Sequence, residues 1–170
     1  MKGTVSTTQH IVVFQVAGLA CALRLESVAE IVPMAALFSP PSRPALIEGF
    51  LNLGGAAIPV VRLDRLFGLP EREVELYTPM IVIKSKSGPL ALWVERVLDV
   101  RVIDASSILA VEPRHSFNGC VKAVVGTETF PVHLLAVERI LLDKERQCLA
   151  EFQSREQQRL LGLQSGGTPE

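Results

Sequence analysis

The sequence predicts a mainly β protein made of two similar five-stranded units and ended by a C-terminal α-helix. Three observations predict it. Short β-branched and apolar runs recur, separated by glycine-containing pairs, which is the pattern of hairpins. The order of runs and turns in the first half returns in the second: Ala17-Gly18 matches Ser87-Gly88 at an offset of 70, and Gly54 and Pro59-Val60 match Gly126 and Pro131-Val132 at an offset of 72. After about residue 134 the apolar spacing changes to a helical one. An ordered series of this kind reads as a duplication, each copy a small barrel or strongly curved sheet.

The bulk composition supports a packed core. Of 170 residues, 48% are hydrophobic and 21% charged, with a formal net charge of -1, so burial is favoured over disorder. The length suits one domain or two small lobes sharing a core. A nucleic-acid partner is disfavoured, because there is no basic stripe and the aromatic fraction is only 5%. Residues 1–9 are polar and lack the apolar core of a signal peptide, and are expected to be disordered. No run approaches the roughly 20 apolar residues needed to span a bilayer. The expectation is a cytoplasmic protein without direct membrane insertion.

Residues 11–16 (IVVFQV) and 19–25 (LACALRL) form the first hairpin. Both runs are almost continuously apolar, which suits a small curved sheet with one face in a barrel and the other partly covered. Residues 28–34 (VAEIVPM) read as a third strand. A helix competes over 25–32, because Leu25, Val28, Ala29 and Val32 also fit a helical spacing. Residues 38–46 hold Pro40, Pro41 and Pro44, so they form an extended loop. A proline-rich ligand for an SH3-type module is the lesser reading of that loop.

The stretch IEGFLNLGGAAIPVVRLDRLFGL, residues 47–69, is the most distinctive. Residues 49–53 and 56–63 read as strands about a Gly54-Gly55 turn. Pro59 makes the second of them an edge strand or a bulged one. Asp64 reads as the N-cap of a single turn closed by Gly68 and Pro70. Residues 69–78 are charged and connect the halves. The second half then gives strands at 80–86, 89–94 and 97–103, a looser stretch at 104–118, and strands at 121–125 and 129–134. From Leu135 the chain reads as helix, rich in Gln, Glu and Arg, with Cys148, Leu149, Phe152, Leu160 and Leu163 on its apolar side. Its start packs on the barrels, and its later part extends into solvent or meets a partner. Residues 164–170 should fray.

No reactive constellation is visible. Cys21, Cys120 and Cys148 have no CxxC spacing, and the first two sit in apolar runs as small buried hydrophobes. His10, His115 and His133 share no metal-ligand spacing. The serines at 85, 87, 106 and 107 lack a nucleophile context, and Gly54-Gly55 precedes a strand, unlike a phosphate loop. Neither catalytic residues, nor a metal, nor a cofactor is predicted. Glu30 interrupts an apolar run. It is either a solvent-facing strand position or a polar anchor beside an apolar binding face. Trp93 is a core indole by default and an interface anchor otherwise. Duplicated apolar strand surfaces without chemistry point to a binding module.

These residues resemble a known family. PPSRPALIEGFLNLGGAAIPVVRLDRLFGL is similar to the signature region of CheW-type proteins, the coupling adaptors of bacterial chemotaxis arrays, through Pro44, Gly49, Asn52-Leu53, Gly55, Pro59-Val60 and Leu63-Asp64. VVFQVAGLACALRLESVAEIV resembles the family's first hairpin and the element after it. The resemblance covers residues 10–142 and implies two intertwined five-stranded SH3-like β-barrel subdomains, about 10–70 and 79–134; the helical extension read over 143–163 looks longer than the minimal family pattern. It implies a non-catalytic scaffold that joins the regulatory domain of a CheA-type histidine kinase to the cytoplasmic tip of a chemoreceptor. Candidate partner-binding residues are Val28, Glu30, Ile31, Gly49, Asn52, Gly54, Leu90 and Val94. One departure stands out: the family's turn usually has arginine where this chain has Gly54, and that arginine commonly pairs with the glutamate matching Glu30. Arg43, Arg62 and Arg65 are the candidates to replace it.

Overall fold

The structure, a computed structural model, describes residues 7–33, 35–41, 43–45, 47–73, 75, 78–111, 119–126 and 130–165. Two hairpins open the two halves. β1 (Thr8–Val16) and β2 (Leu19–Arg24) turn at Ala17 and Gly18, with φ of 47° and 82°. Their second-half counterparts are β6 (Met80–Ser85) and β7 (Gly88–Trp93). There the turn is Lys86-Ser87, one residue earlier than the sequence match implies. Ser85 pairs with Gly88, which opens β7 at a φ of 108°.

β3 (Val28–Val32) comes after a single 3-10 turn at Leu25–Ser27. The competing helix does not form, because β3 is claimed by antiparallel pairing with β6. β4 (Ile47–Leu53) and β5 (Ala56–Arg62) meet at Gly54-Gly55, both at positive φ, as the Gly-Gly pair predicts. A short helix α1 (Leu63–Leu66) is next. The second half continues with β8 (Arg96–Asp104), β9 (Ile108–Ala110), β10 (Val121–Gly126) and β11 (Pro131–Leu135), then the long helix α2 (Asp143–Ser165).

Each sheet draws strands from both halves. One has the order β8-β1-β2-β11-β10-β9 and the other β3-β6-β7-β5-β4. The opening hairpin of each half is therefore inserted among the later strands of the other half. Two parallel contacts, β2 with β11 and β5 with β7, make the join. The two sheets fit the SH3-like description, and among the described residues neither ladder closes on itself.

Several expectations change. The β1-containing sheet has six strands, because Ile108–Ala110 pairs with β10. In the proline loop of the first half the corresponding contact is one bridge, Phe38 to Phe50. Pro40, Pro41 and Pro44 carry no N–H to extend it. β5 is internal, not an edge. Pro59 is tolerated because the parallel ladder to β7 begins only at Val60, so its missing donor falls outside it. The register shift in this hairpin is on β4, between Ile47 and Gly49. Asp64 lies inside the first turn of α1, where Arg62 holds the N-cap position, so it is not the cap.

At the C-terminal side, Leu134 and Leu135 still belong to β11. A 3-10 turn at Val137–Arg139 comes next, and the helix starts only at Asp143. Glu145 accepts from the Leu142 amide at 2.7 Å, half of a capping box, which marks that start. At the N-terminal side, Thr8 and Gln9 are paired strand residues, contrary to a disordered segment through residue 9, while residues 1–6 lie outside the described set. The helix runs on through Ser165, and 166–170 lie outside the described set, as does His115.

The near-continuous apolar run of β1 is explained by burial on both faces: Ile11, Val12, Val13 and Phe14 are all buried. Each contributes about 1.5–3 kcal/mol through removal from water. The largest cluster joins Phe14, Leu23, Ile81, Leu92 and Leu135 to Leu149 and Phe152 of α2, so the two sheets and the helix share one core. Cys21 and Cys120 are buried within it, and burial pushes both thiols up to about 12, with Cys120 adding to the effect on Cys21. Cys148 is exposed.

Candidate partner-binding surface

The eight candidate residues fall into three places. Val28, Glu30 and Ile31 lie on β3, one edge of the five-stranded sheet. After a register shift between Val28 and Glu30 the pairing is regular, so Glu30 and Ile31 lie on opposite faces of this edge strand, and both are exposed, Ile31 at 43%. Gly49, Asn52 and Gly54 belong to the other edge, on β4 and its turn. Leu90 and Val94 are buried in the shared core, so they support the surface from beneath and do not form it.

The residues on β4 have local roles. A Cβ at Gly49 would lie 2.8 Å from Ser39 Oγ, 2.9 Å from the Phe38 carbonyl oxygen and 3.0 Å from Leu37 Cβ. The glycine lets the proline loop lie directly on the strand. Asn52 Oδ1 accepts from the Gly55 amide at 3.0 Å and braces the hairpin turn. Gly54 is exposed at a φ of 60°, with open space around it.

None of the three arginines replaces the one missing at Gly54. Arg43 Nε donates to the Ile47 carbonyl at 2.9 Å. Arg65 bridges Glu48 at 2.9 Å and Glu71 at 2.7 Å. Arg62 is held by Asp64 through two hydrogen bonds, Nε to Oδ1 at 3.1 Å and Nη2 to Oδ2 at 2.7 Å. Among the described residues no ion pair to Glu30 is formed.

The Arg62–Asp64 pair is the best-organised charged feature, and sequence reasoning missed it. Arg62 Nη2 also donates to the Arg72 carbonyl, and its guanidinium lies 4.8 Å from the Trp93 ring centre. Asp64 further accepts from the Arg65 and Arg72 amides at 2.8 and 3.2 Å. Burial alone would raise the Asp64 carboxyl. The Arg62 hydrogen bond and the two amides outweigh it and hold the group below the usual carboxylate range. The available signal was the Arg-x-Asp spacing where β5 runs into α1. The pair borders a cleft of about 580 Å³ lined also by Ala17, Glu71, Arg72 and Glu95. Every charge of the pair is already satisfied, so it serves as a rigid support. Trp93 is a buried core residue.

α2 is docked over most of its length, while Leu161 and Leu163 near its end are exposed. It packs along β5, with Leu149 and Phe152 buried and the Phe152 ring stacked on Phe50 at 5.6 Å between centroids. Its amide side chains bond the backbone beside the β4–β5 turn. Gln157 Oε1 accepts from the Ala57 amide at 3.1 Å, Gln153 Nε2 donates to the Ala57 carbonyl at 3.1 Å, and Gln157 Nε2 donates to the Gly55 carbonyl at 3.3 Å. Ala57 precedes the parallel ladder with β7, so these glutamines satisfy backbone groups that no strand takes up on that side.

Among the described residues no cluster of His, Cys, Asp and Glu is arranged to hold a metal ion, and no helix is long and apolar enough to cross a membrane. Comparison with known proteins agrees with the architecture. The family model for the CheW-like domain matches residues 10–145. The chemotaxis protein CheW of Thermotoga maritima is 24% identical over 128 residues, which cover 75% of this chain and 84% of that protein. The crystal structure of the scaffolding protein TtCheW from Thermoanaerobacter tengcongensis superposes with a TM-score of 0.74 at 27% identity, covering 82% of this chain and 97% of that one. With most of its length matched by the family model and its two mixed sheets matched by a solved relative, this chain belongs to the CheW-like domain family, whose members are non-catalytic scaffolds.

Proposed function

We propose that this chain is a cytoplasmic adaptor of bacterial chemosensory signalling that couples the regulatory domain of a CheA-type histidine kinase to the cytoplasmic tip of a chemoreceptor. The observation that carries the reading is the solvent-facing pair Glu30 and Ile31 on an edge strand of a CheW-like fold. An exposed aliphatic on one face of the edge and, on the other, a carboxylate without an ion-pair partner among the described residues suit a partner that wraps this edge with an apolar contact and a cation. The test is a pulldown against the kinase regulatory domains and receptor tips of the same organism. Glu30→Arg together with Ile31→Asp is expected to weaken capture about tenfold or more, near 1.4 kcal/mol. No binding of the unaltered chain to any of these partners would sink the adaptor reading.

A second reading has a specific observation behind it. α2 covers the backbone at Gly55 and Ala57 beside the Gly54 turn. A specialised regulator would use this helix to cap the surface or to recruit another protein. Deleting residues 144–170, with circular dichroism to show that the chain still folds without the core residues Leu149 and Phe152, tests this reading. Under this reading partner capture changes, and unchanged capture rules it out.

A further inference from the structure

β8 is an edge of the six-stranded sheet, and it is the most apolar exposed edge among the described strands: Leu98, Val100 and Val102 are 44%, 50% and 60% exposed. Its backbone is free to pair outward. The Ala105 amide donates to the Thr7 carbonyl, and antiparallel ladders alternate, so the amides of Asp99, Arg101 and Ile103 face β1. Those of Val100 and Val102 face away. In agreement, the Val100 amide is taken by its own neighbour, Asp99 Oδ1, at 2.8 Å. A long edge with such a stripe is a template for another strand.

The sequence of this edge specifies which strand fits. Read antiparallel to itself about Val100, the regular stretch Asp99-Val100-Arg101 is its own charge complement. Asp99 falls opposite Arg101 on each side of the twofold, and the register shift that leaves Leu98 as an extra residue confines the pairing to this central segment. Val100 would be a hydrogen-bonded pair with its twin. Asp99 and Arg101 would occupy the closer, non-hydrogen-bonded positions, with Cα atoms about 4.5 Å apart, where cross-strand side chains interact best. The other exposed edge, β3, lacks this property, because the same operation about Glu30 sets two carboxylates against each other.

We propose that β8 is a self-association surface, on which a second copy of this chain adds its own β8 antiparallel about Val100 and joins the two six-stranded sheets into one. The contact is isologous, with one patch meeting itself across a two-fold axis. In the single chain, Asp99 Oδ2 lies 3.4 Å from Arg101 Nε, and its other oxygen covers the Val100 amide. On pairing, that amide passes to the twin carbonyl and Asp99 meets the partner's Arg101. Exchange of these contacts leaves no backbone donor at the centre unmatched. The proposal does not depend on the adaptor reading, since it needs only the edge and its charge pattern.

Sedimentation of the full chain with reductant present, from micromolar to millimolar concentration, tests it. The average mass should climb from 18.5 kDa toward twice that value, and less steeply at high salt. Asp99→Arg sets arginine against Arg101 twice per pair and should weaken association at least tenfold. The double exchange Asp99→Arg/Arg101→Asp restores complementarity and should recover it. Circular dichroism confirms that each variant folds. A monomer at every concentration overturns the proposal. So does association indifferent to Asp99→Arg, or a double exchange that fails to recover what the single change lost.

Discussion

Asp64→Ala is expected to cost about 3 kcal/mol of unfolding free energy, the lower part of the range for breaking a buried ion pair. Asp64 and Arg62 are each only 8% exposed. Removing the carboxylate leaves the guanidinium buried against Trp93, with the Arg72 carbonyl as its remaining hydrogen-bond acceptor, and frees the Arg65 and Arg72 amides. Those surviving contacts place the loss at the low end. Replacing both partners by apolar residues, Arg62→Met with Asp64→Leu, is expected to cost less than the single change, because no lone charge stays behind. Denaturant melts of the three proteins measure this. A single-variant loss below about 1 kcal/mol would mean that the cleft hydrates the pair like a surface bridge.

The same pair carries a pH dependence. The folded Asp64 pKa is lowered, so its stabilisation is fully present above the ordinary carboxylate value of about 3.9 and is lost as pH falls through the depressed one. The stability gap between the natural chain and Asp64→Ala should therefore be constant near neutrality and narrow below about pH 4. A gap that widens in acid would contradict a lowered pKa.

Phe152→Ala should be as damaging, at about 3–5 kcal/mol, the usual range for deleting a buried aromatic ring. Phe152 stacks on Phe50 and stands with Leu149 in the core that both sheets share. Most of a helix's stability in a protein comes from packing its apolar face, so the docking of α2 depends on that ring. Hydrogen exchange separates local from global effects. Amides of α2, and the Ala57 amide held by Gln157, should lose protection first, while those of β1 and β2 keep most of theirs. Undiminished protection along α2 would show that the glutamine contacts alone hold the helix.

Much of the fold was legible because turn chemistry is local. Ala17-Gly18 and Gly54-Gly55 need positive φ, and the structure puts them there. The ordered recurrence of such turns revealed a duplication. The burial of Cys21 and Cys120 was equally visible, since each sits inside an apolar run. The misplaced features have both distant and local causes. Leu135 shares a helical spacing with Glu138, yet β10 holds it in a strand. Asp64 has an N-cap's composition, but Arg62 takes its carboxylate. Leu90 and Val94 carry nothing in their own residue types to distinguish a core position from an interface.

By itself, then, the sequence determined the class, the two-fold repetition, the turns and the family resemblance, because backbone sterics and alternation act within a few residues. It also determined the charge pattern of β8. Only the tertiary structure decided which strands pair, that each hairpin lodges in the sheet of the other half, and that β8 and β3 end up as open edges. Only the tertiary structure laid α2 along β5. Pairing between strands tens of residues apart is chosen by the shape of the whole core, and no local stretch of chain encodes that choice.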